Sequence, residues 1–557
     1  MAVVPESAAD AVVVGAGPNG LVAANILADA GWRVVVLESQ DTPGGAVRSD
    51  RGVHPDYVND VFSSFYPLAV ASPALAALGL ERWGLRWSHA PAVLANPLPD
   101  GRCAVMHRDA ERTAAGLEEF AAGDGEAYLR MVELWRRLGG DLMQALFTPF
   151  PPVLAGARLA GAVHGAGGLR LLRSLLLPVR RFAQENFTGE AAGVLLSGCA
   201  LHADLTPEAP GSTAFGWLLA MIGQQLGWPV PAGGAAALTE ALVARLQDRG
   251  ATLRCGSRVV EVTVGGGRAT GVLTADGEHL AARRAVLADV PATALYGGMV
   301  GWEELPARLR EDMRRFVWDH ATFKVDWALR GPIPWSAPQA ALAGTVHLAD
   351  GVDHLTRQAA QLATSTVPDR PFALLGQMTT ADPGRSPAGT ESAWAYTHLP
   401  RHIKEDAGGG GLDGRWGPAQ REVMAARLEA EVERWAPGFR DLVVARRVLA
   451  PPDFEARDES LVGGALNGGT SAVHQQLVFR PVPGSGRPET PVPGLYLASS
   501  SAHPGGGVHG ACGANAARAA LRGRGGGLRR LLGGAASKVQ RRLVADTGDA
   551  GAGAGRL

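Results

Sequence analysis

The amino-acid sequence predicts a fold of the α/β class, in which one domain is assembled from separate stretches of the chain and joined to a mixed α+β domain. Three observations predict it. Residues 10–38 read as a strand, a glycine-rich turn, a helix and a second strand. A second alternating block covers residues 229–300, and a strand, a turn and a helix recur over residues 494–521. Strands that alternate with helices are typical of a parallel sheet with helices on its faces.

Each element of these blocks has its own signal. The run AVVVG is continuously apolar, as expected of a parallel strand buried on both faces. GLVAANILADAG predicts a helix that ends at Gly31, and WRVVVLE predicts the next strand. In the second block, residues 231–250 predict a helix, and the glycines at 265–267 predict a hairpin turn between two strands. RRAVLADVP predicts a further buried strand.

Bulk properties exclude several functions. A chain of 557 residues exceeds what one hydrophobic core supports, so more than one lobe is expected. The net charge of −1 gives no field that would capture nucleic acid, and no nucleic-acid partner is expected. The four cysteines form no CxxC pair, which is typical of a reducing cytosol, and no metal site is predicted. Because we find neither a signal-peptide pattern nor a long uninterrupted apolar run, we expect a cytoplasmic protein.

The turn after the first strand carries the pattern G-x-G-x-x-G. Gly15 allows the tight turn, Gly17 lets the backbone approach a pyrophosphate, and Gly20 permits close packing of the helix, whose N-terminus attracts the phosphates. Glu38 closes the second strand and is placed to accept hydrogen bonds from a ribose. The alternative is a glycine-rich turn that binds nothing. The predicted dinucleotide contacts are Gly15, Gly17, Pro18, Asn19, Gly20, Glu38 and Ser39.

Two further loops favour FAD over NAD. Glu38 leads into SQDTPGGAVRSD, and in FAD proteins of the glutathione-reductase type such a double glycine passes close to the ribose and pyrophosphate. The segment ASSSAHPGGGVHG near the C-terminus could receive the isoalloxazine end of a long cofactor. The alternative for the first loop is an ordinary surface turn. The predicted contacts in the two loops are Gly44, Gly45, Ala46 and Arg48, then Ser501, Gly506, Gly507 and Val508.

Two histidines flank the second of these loops. His503 and His509 are the candidate acid–base residues, because an unperturbed imidazole titrates in the useful range. The alternative is that they cap the following helix or bind backbone groups. Asp60 is a weaker candidate, and Cys512 is expected to pack as a small residue on the helix.

The motifs together resemble those of the phytoene desaturase superfamily of FAD-dependent oxidoreductases, in particular bacterial phytoene-dehydrogenase-like proteins. GAGPNG, TPGGAVRS, PAGGAAALTEAL and TPVPGLYLASSSAHPGGGVHGACGANAARA carry the resemblance in colinear order. It implies a backbone contact between Val259 and adenine, and a lipophilic, polyene-like substrate. The chain departs from the wider class at Ser499–Ser501, where many flavoproteins have a Gly-Asp pair.

The resemblance leaves the reaction open among desaturation, which we favour, saturation and double-bond isomerisation. No second G-x-G-x-x-G opens a helix, so hydride is expected to pass directly between the substrate and flavin N5. A FAD-dependent amine oxidase is the alternative, for which Lys324 is the relevant residue. Its apolar neighbours in ATFKVDWAL, however, predict an outward-facing, exposed side chain. A redox-inert flavoprotein that acts as a scaffold or lipid carrier is a further alternative.

These patterns divide the chain into segments. Arginines and leucines interleave over residues 153–182, which predicts either a helix lying in a membrane interface or a surface helix over the substrate lobe. We therefore expect a cytoplasmic protein, with peripheral contact to a membrane as an open alternative. The oligomeric state is also left open. The predicted segments are a discontinuous Rossmann-like FAD-binding domain at 8–100, 229–300 and 485–523, a helix-rich region at 101–228, a mixed α+β substrate domain at 301–480 and a flexible tail at 524–557.

Overall fold

A computed structural model describes residues 9–522, so the predicted tail at 524–557 lies outside the described residues. The strands are β1 Ala9–Val14, β2 Val34–Leu37, β3 Ser49–Asp50, β4 Asn59–Asp60, β5 Trp87–Ser88, β6 Ala92–Pro97, β7 Cys103–Met106, β8 Val230–Pro231, β9 Thr252–Arg254, β10 Val259–Gly265, β11 Arg268–Thr274, β12 His279–Ala288, β13 Ala321–Leu329, β14 Ala343–Leu348, β15 Thr366–Val367, β16 Ala373–Gln377, β17 Glu391–Leu399, β18 Glu405–Asp406, β19 Val443–Leu449 and β20 Leu495–Leu497.

The helices follow in the same way. They are α1 Pro18–Asp29, α2 Pro67–Ala71, α3 Pro73–Ala76, α4 Ala110–Glu118, α5 Asp124–Leu146, α6 Val153–Gly165, α7 Leu169–Leu176, α8 Val179–Asn186, α9 Ala191–Leu201, α10 Ser212–Leu226, α11 Ala236–Asp248, α12 Ala292–Ala294, α13 Ala307–Met313, α14 Val352–Ala363, α15 Met378–Ala381, α16 Pro418–Trp435, α17 Pro451–Arg457 and α18 Ala511–Arg522.

The first large sheet is drawn from three separate stretches of the chain. Its order is β10-β11-β12-β1-β2-β9, and β20 pairs with β12. β1 is parallel to both β2 and β12, and β20 is parallel to β12, whereas β10 and β11 form the predicted antiparallel hairpin. Helices α1, α11 and α18 pack on it through apolar side chains. The predicted α/β class and Rossmann-like fold are confirmed.

The second large sheet has the order β19-β13-β17-β16-β14-β6-β7 and is mostly antiparallel. One face packs on helix α16, where Phe323 and Val325 of the sheet meet Met424, Leu428 and Val432 of the helix. The other face carries polar and aromatic side chains towards the first sheet. Strand β6 lies within 8–100, which the sequence assigned to the FAD-binding domain, but it pairs with β14 in this second sheet. The pattern of β6 alone does not indicate which sheet it joins.

Residues 110–226 form the predicted helix-rich region, which surrounds a core of its own. Helices α6 and α7 cover most of the arginine–leucine segment, and half of the residues in the segment are exposed. Within residues 9–522, no helix is both long enough and apolar enough to cross a bilayer.

Candidate functional site

A cavity of about 800 Å³ is lined by residues of both large sheets. Gly15, Glu38 and Asp289 directly follow the carboxyl ends of the neighbouring parallel strands β1, β2 and β12 and line it. Lys324 and Tyr396, on β13 and β17 of the second sheet, also line it. Ligands of open α/β sheets bind outside the carboxyl ends of the strands, and a volume of this size suits a cofactor with a substrate. The cavity therefore has a nucleotide end and a sheet-floor end.

Helix α1 begins at the cavity, and the glycines before it and in its first turn stand where a larger side chain would not fit. A Cβ on Gly17 would lie 2.9 Å from Oδ2 of Asp289, and a Cβ on Gly20 would collide with the carbonyl oxygen of Gly15. Gly15 also has a φ of +95°, a conformation that favours glycine. The bare N-terminus presents the positive end of the helix dipole, which suits a pyrophosphate.

Asp289 caps this helix from a different strand. Its Oδ2 accepts a hydrogen bond from the N–H of Gly20 across 2.7 Å, whereas the N-cap residue, Gly17, has no side chain to do so. Burial raises the pKa of Asp289 to about 8; the hydrogen bond from Gly20 opposes the rise, and the nearby acids Asp458 and Glu38 add to it. A carboxyl group that is protonated in this range can lie beside a phosphate without strong charge repulsion. Sequence reasoning had assigned no role to this residue.

Glu38 ties the second strand to the tight turn. Its Oε2 accepts a hydrogen bond from the N–H of Ala16 across 2.8 Å, and its Oε1 accepts one from the N–H of Gln40 across 2.9 Å. Glu38 still lines the cavity, together with Ser39 and Val259. The three residues meet at the place where the sequence predicts the adenosine part of a cofactor.

The double-glycine loop packs directly on the fingerprint. The N–H of Gly44 donates to the carbonyl oxygen of Ala16 across 2.9 Å. A Cβ on Gly45 would lie 3.2 Å from the Cα of Gly17, so a side chain there would push the loop away from the helix N-terminus. Gly45 and Ala46 line the cavity, whereas Gly44 supports them from outside.

Arg48 does not line the cavity. Its Nε donates to the carbonyl oxygen of Gly45 across 2.9 Å, and its Nη2 donates to that of Arg457 across 2.6 Å. Its guanidinium also lies 5.4 Å from the centre of the Phe62 ring. This placement favours a role in holding the loop rather than the predicted contact with the cofactor. A sequence pattern cannot separate the two roles, because both need a cation just after the glycines.

The C-terminal loop reaches the cavity with Ser500, Gly507 and Val508. Ser501 lies behind this surface, where its Oγ donates to the carbonyl oxygen of Gly468 across 3.0 Å. Gly506 also lies outside the lining, but a Cβ there would come within 2.8 Å of the Cα of Asn467. Ser501 and Gly506 thus shape the loop, while their neighbours face the cavity.

A fully buried arginine fixes this loop. The guanidinium of Arg480 donates to the carbonyl oxygen of Ser500 across 2.8 Å, to that of Asn467 across 2.7 Å and to that of Thr470 across 3.0 Å. Burial lowers its pKa to about 10. Arg480 therefore joins two loops, each of which contributes residues to the cavity wall, and sequence reasoning did not identify it.

His503 and His509 are buried beside the loop and do not line the cavity. Nδ1 of His509 accepts a hydrogen bond from the N–H of Ala511, at the start of α18, and its Nε2 lies 3.2 Å from the carbonyl oxygen of Gly505. Nε2 of His503 lies 3.0 Å from the carbonyl oxygen of Thr148. Burial lowers the pKa of each imidazole to about 4. The predicted acid–base role stays a prediction, and this placement favours the alternative of capping and backbone binding.

The second sheet forms the sheet-floor end of the cavity. Side chains of alternate residues on three strands share one face: Thr322 and Lys324 on β13, Trp394 and Tyr396 on β17, and Thr345 on β14. The rings of Trp394 and Tyr396 lie nearly parallel, 5.8 Å apart. This end is therefore broad, aromatic and poor in charge.

The prediction that Lys324 is exposed is wrong, because only 2% of the residue is exposed. Its Nζ donates to the carbonyl oxygen of Asp60 across 2.6 Å, to that of Val61 across 3.2 Å and to Oδ1 of Asp326 across 2.6 Å. Alternation of polar and apolar residues shows only that the two faces of a strand differ. Here the polar face meets a cavity inside the protein rather than solvent.

Eleven of the residues predicted to contact the cofactor line the cavity. They are Gly15, Gly17, Pro18, Asn19, Glu38, Ser39, Gly45, Ala46, Val259, Gly507 and Val508. The predicted residues outside the lining are Gly20, Gly44, Arg48, Ser501, Gly506, His503 and His509. The main lining residues without a predicted role are Asp289, Asp458, Ser500, Asn467, His202, Trp394 and Tyr396.

Comparison with known proteins assigns the chain to a family. A family model described as flavin containing amine oxidoreductase matches residues 19–521, which is most of the chain. The chain belongs to this family of flavin-containing oxidoreductases. The bare helix N-terminus, the adjacent glycine loop and the acid after β2 fit FAD, which is the cofactor of this enzyme.

Curated relatives of this flavin-containing oxidoreductase extend over most of its length. It is 29% identical to mouse (Mus musculus) pyridine nucleotide-disulfide oxidoreductase domain-containing protein 2 over 561 residues, covering 92% of this chain and 93% of the relative. It is also 29% identical to a phytoene dehydrogenase of Streptomyces griseus over 471 residues, covering 80% and 83%. A component of the limonene dehydrogenase of Castellaniella defragrans is 23% identical, covering 91% and 94%. The resemblance to phytoene desaturases is confirmed.

A solved structure shows the same fold at lower identity. Putrescine oxidase bound to putrescine is 16% identical to this flavin-containing oxidoreductase, with a TM-score of 0.58, over 92% of this chain and 98% of that chain. At this identity, the likeness concerns the fold alone.

Proposed function

We propose that this FAD-dependent oxidoreductase acts on a carbon–carbon bond of a neutral, lipophilic, polyene-like substrate. The observation that carries the proposal concerns Lys324, the charged residue of the aromatic sheet floor. All of its N–H groups are already hydrogen-bonded within the protein. An ammonium group has three N–H donors. The three acceptors around Nζ, two backbone carbonyls and the carboxylate of Asp326, use all of them.

A lysine whose three N–H groups are all hydrogen-bonded has none left for a water molecule or a substrate. It is therefore unsuited to the role that lysine has in amine oxidases, where it binds a water beside the flavin. Burial lowers the pKa of Lys324, and the carboxylate of Asp326 opposes that change. The residue is best understood as part of the sheet, in which it ties β13 to the backbone of residues 60–61.

The charges in the cavity also disfavour a cationic amine. The carboxylates that line the cavity are Glu38, Asp289, Asp458 and Glu459. Asp458 lies beside Gly45, with its Oδ2 3.3 Å from the Cβ position of that residue, and Glu459 binds Arg258 across 2.6 Å. These acids accompany the nucleotide end, so an ammonium at the sheet floor would meet the like charge of Lys324 and no carboxylate among the lining residues of that floor. A neutral apolar chain needs no counter-ion, and its burial is favourable.

Two relatives carry names that refer to unsaturated hydrocarbons, phytoene and limonene, which supports the same substrate class. The family description and the putrescine oxidase structure favour the second candidate, an amine oxidase. We place it second because the structural likeness concerns the fold alone and because the sheet floor offers no free carboxylate among the lining residues.

FAD would supply a two-electron acceptor or donor of hydride, held by the fingerprint, the glycine loop and the C-terminal loop. The residues of this chain bind the substrate between Trp394, Tyr396 and the apolar lining, and exclude water from the reacting carbons. Desaturation, which we favour, would pass a hydride from one carbon to the flavin and a proton from the adjacent carbon to a base, and saturation would be the reverse.

The experiment is to incubate the holoenzyme with a panel of polyene lipids, in one arm with an electron acceptor and in a second arm with a chemical reductant of the flavin. The mass of each product is then measured. A loss of two hydrogens identifies a desaturase, a gain of two identifies a reductase, and a shifted absorbance at unchanged mass identifies an isomerase. Failure to convert or bind any neutral polyene, together with turnover of a primary amine, would overturn the proposal in favour of the second candidate.

We also propose that α6 and α7 dock on a membrane with anionic lipids. Leu154 and Leu169 are 76% and 83% exposed. Residues 153–182 contain no acidic side chain, and within residues 9–522 Arg158 and Arg170 form no ion pair. The other three arginines of this segment pair with acids outside it. Exposed leucines beside the two unpaired arginines are complementary to the apolar interior and anionic surface of a bilayer, which is also where an oily substrate resides.

A further inference from the structure

His202 lies in the wall of the cavity, although neither the nucleotide end nor the proposed redox step uses it. It follows the last residue of α9 and is its C-cap. α9 approaches the second sheet so closely that a Cβ on Gly198 would collide with the ring of His347 on β14. This close packing brings Nε2 of His202 to 2.8 Å from Nε2 of His347.

A contact of 2.8 Å between two imidazole nitrogens requires that one donates and the other accepts. Both rings are held in the neutral form: burial lowers the pKa of His202 to about 3 and that of His347 well below its usual range. A neutral imidazole carries one proton, on either Nδ1 or Nε2. The pair therefore has two arrangements, which differ in the ring that donates.

The surroundings of the two Nδ1 atoms distinguish these arrangements. Nδ1 of His347 is sealed from solvent and has no hydrogen-bond partner among residues 9–522. If His202 donated from Nε2, the proton of His347 would sit on this sealed Nδ1 as a buried donor without an acceptor, which is unfavourable. If His347 donates from Nε2, its Nδ1 is only an unused acceptor. The second arrangement is favoured, and it puts the proton of His202 on Nδ1.

Nδ1 of His202 is not sealed like that of His347, and it makes no hydrogen bond to any described residue. The imidazole of His202 also makes an edge-to-face contact with the ring of Trp228. The ring centres lie 5.0 Å apart, and the ring planes meet at 73°. Tyr396 and Trp394, which line the same cavity on the sheet floor, are aromatic. A fixed, neutral N–H donor in an aromatic cavity wall suits an uncharged oxygen atom, because a buried donor without a partner is unfavourable.

We propose that His202 binds an oxygen atom of the substrate through Nδ1–H, so that the substrate is an oxygenated lipophilic molecule such as an alcohol, aldehyde or ketone of a polyene. This inference rests on the proposed function and makes it more specific. His347 is the positioning residue, because it fixes the tautomer and the orientation of His202. Asn96 in turn holds the β14 backbone, since its Nδ2 donates to the carbonyl oxygen of His347 across 3.0 Å.

The first test is nitrogen-15 NMR of the holoenzyme labelled at histidine. We expect the His202 signals, assigned by their loss in His202→Phe, to show a proton on Nδ1. We expect those of His347 to show a proton on Nε2, with both rings neutral throughout the pH range in which the protein is folded. A proton on Nε2 of His202 would overturn the proposal without any reference to substrate.

The second test measures the binding of farnesol and of the hydrocarbon farnesene to the oxidised holoenzyme, by the change in flavin absorbance. Wild-type protein should bind the alcohol about three- to tenfold more tightly than the hydrocarbon, and His202→Phe should abolish this preference while binding of farnesene persists. The matched control is Thr345→Val, which removes a hydroxyl group at the same cavity. Because Oγ1 of Thr345 is sealed from solvent, this variant should keep the preference for the alcohol.

The outcomes separate the two levels of the proposal. Equal binding of alcohol and hydrocarbon by the wild type overturns the role of His202 but leaves a lipophilic substrate in place. Binding of neither ligand overturns the proposed function, and the role of His202 falls with it. A preference that survives in His202→Phe shows that another group binds the oxygen and overturns the proposal.

Discussion

Nζ of Lys324 lies 2.6 Å from Oδ1 of Asp326, and both side chains are buried at the aromatic floor of the cavity. Arg447 binds the other carboxylate oxygen of Asp326, with its Nε 3.0 Å from Oδ2. The three residues form a buried ionic group that holds β13 against its neighbours. We therefore assign to Lys324 a role in stability and not in turnover.

The first prediction concerns Lys324→Met. The substitution leaves the carbonyl oxygens of Asp60 and Val61 without a donor and removes one of two cations from Asp326, so we expect roughly 3–5 kcal/mol of destabilisation. Thermal unfolding checks this value. Lys404→Met is the matched control, because Lys404 is exposed and its loss should leave the melting temperature nearly unchanged. A Lys324→Met protein of normal stability that has lost amine oxidation would contradict our assignment.

The second prediction concerns Asp289 and pH. Its pKa is about 8 in the folded protein against an ordinary 3.8, so the folded state binds more protons than the unfolded state between these values. The contribution of this group to the free energy of unfolding is thus fully present below about pH 4 and is lost as the pH rises through about 8. Asp289→Asn should flatten that part of the profile, as measured by urea unfolding of the apoprotein.

The same substitution should affect cofactor retention. Wild-type protein should release FAD more readily as the pH rises through the pKa of Asp289, because the carboxylate then faces the pyrophosphate. Asp289→Asn should release it at a rate that varies less with pH, as followed by the fluorescence of free flavin. Asp248→Asn, at an exposed acid on α11, is the control and should behave like the wild type. An identical pH profile for Asp289→Asn and wild type would refute this placement of the pyrophosphate.

The third prediction concerns Gly376, which lies under the ring of Trp394. A Cβ at Gly376 would overlap this indole, so Gly376→Ala should displace Trp394 from the cavity wall. We expect a weaker apparent affinity for the polyene with FAD content unchanged, because the nucleotide end is untouched. Gly331→Ala is the control, since its Cβ would find its nearest neighbour, Leu442, at an ordinary 3.6 Å. Loss of FAD from the Gly376 variant would show that the floor and the nucleotide end are not separable.

The fourth prediction concerns the membrane face. Leu169→Glu should lower the affinity for vesicles of phosphatidylcholine and phosphatidylglycerol by roughly tenfold, because a leucine that enters the bilayer is replaced by a charge. Sedimentation with the vesicles measures this affinity, and added salt should weaken it. The control is Leu342→Glu, at a leucine outside α6 and α7 that is 42% exposed. This variant should bind like the wild type. Equal binding of all three proteins, or no preference for anionic vesicles, would favour the alternative of a surface helix over the substrate lobe.

The nucleotide end of the site could be predicted from the sequence because its geometry is local. Gly15, Gly17 and Glu38 lie on one strand–turn–helix–strand unit, in which spacing along the chain fixes spacing in space. Asp289 was missed, although an acid directly after a buried strand was visible. Only the pairing of β12 with β1 brings it to the N-terminus of α1.

The sheet floor could not be predicted in the same way. Lys324 was expected to be exposed because a strand pattern does not indicate what covers its polar face. The contact of His202 with His347 joins residues that are 145 positions apart and depends on a helix packing against a sheet. Such contacts leave no trace in local spacing, so the substrate end required the structure.

The most direct test of the central claim is the anaerobic absorbance of the bound flavin. Under nitrogen, we expect a neutral polyene alcohol to reduce the flavin of the wild-type holoenzyme and thereby bleach its absorbance. A primary amine such as putrescine should leave the oxidised spectrum unchanged. Bleaching by the amine and not by any polyene would contradict the account and identify an amine oxidase.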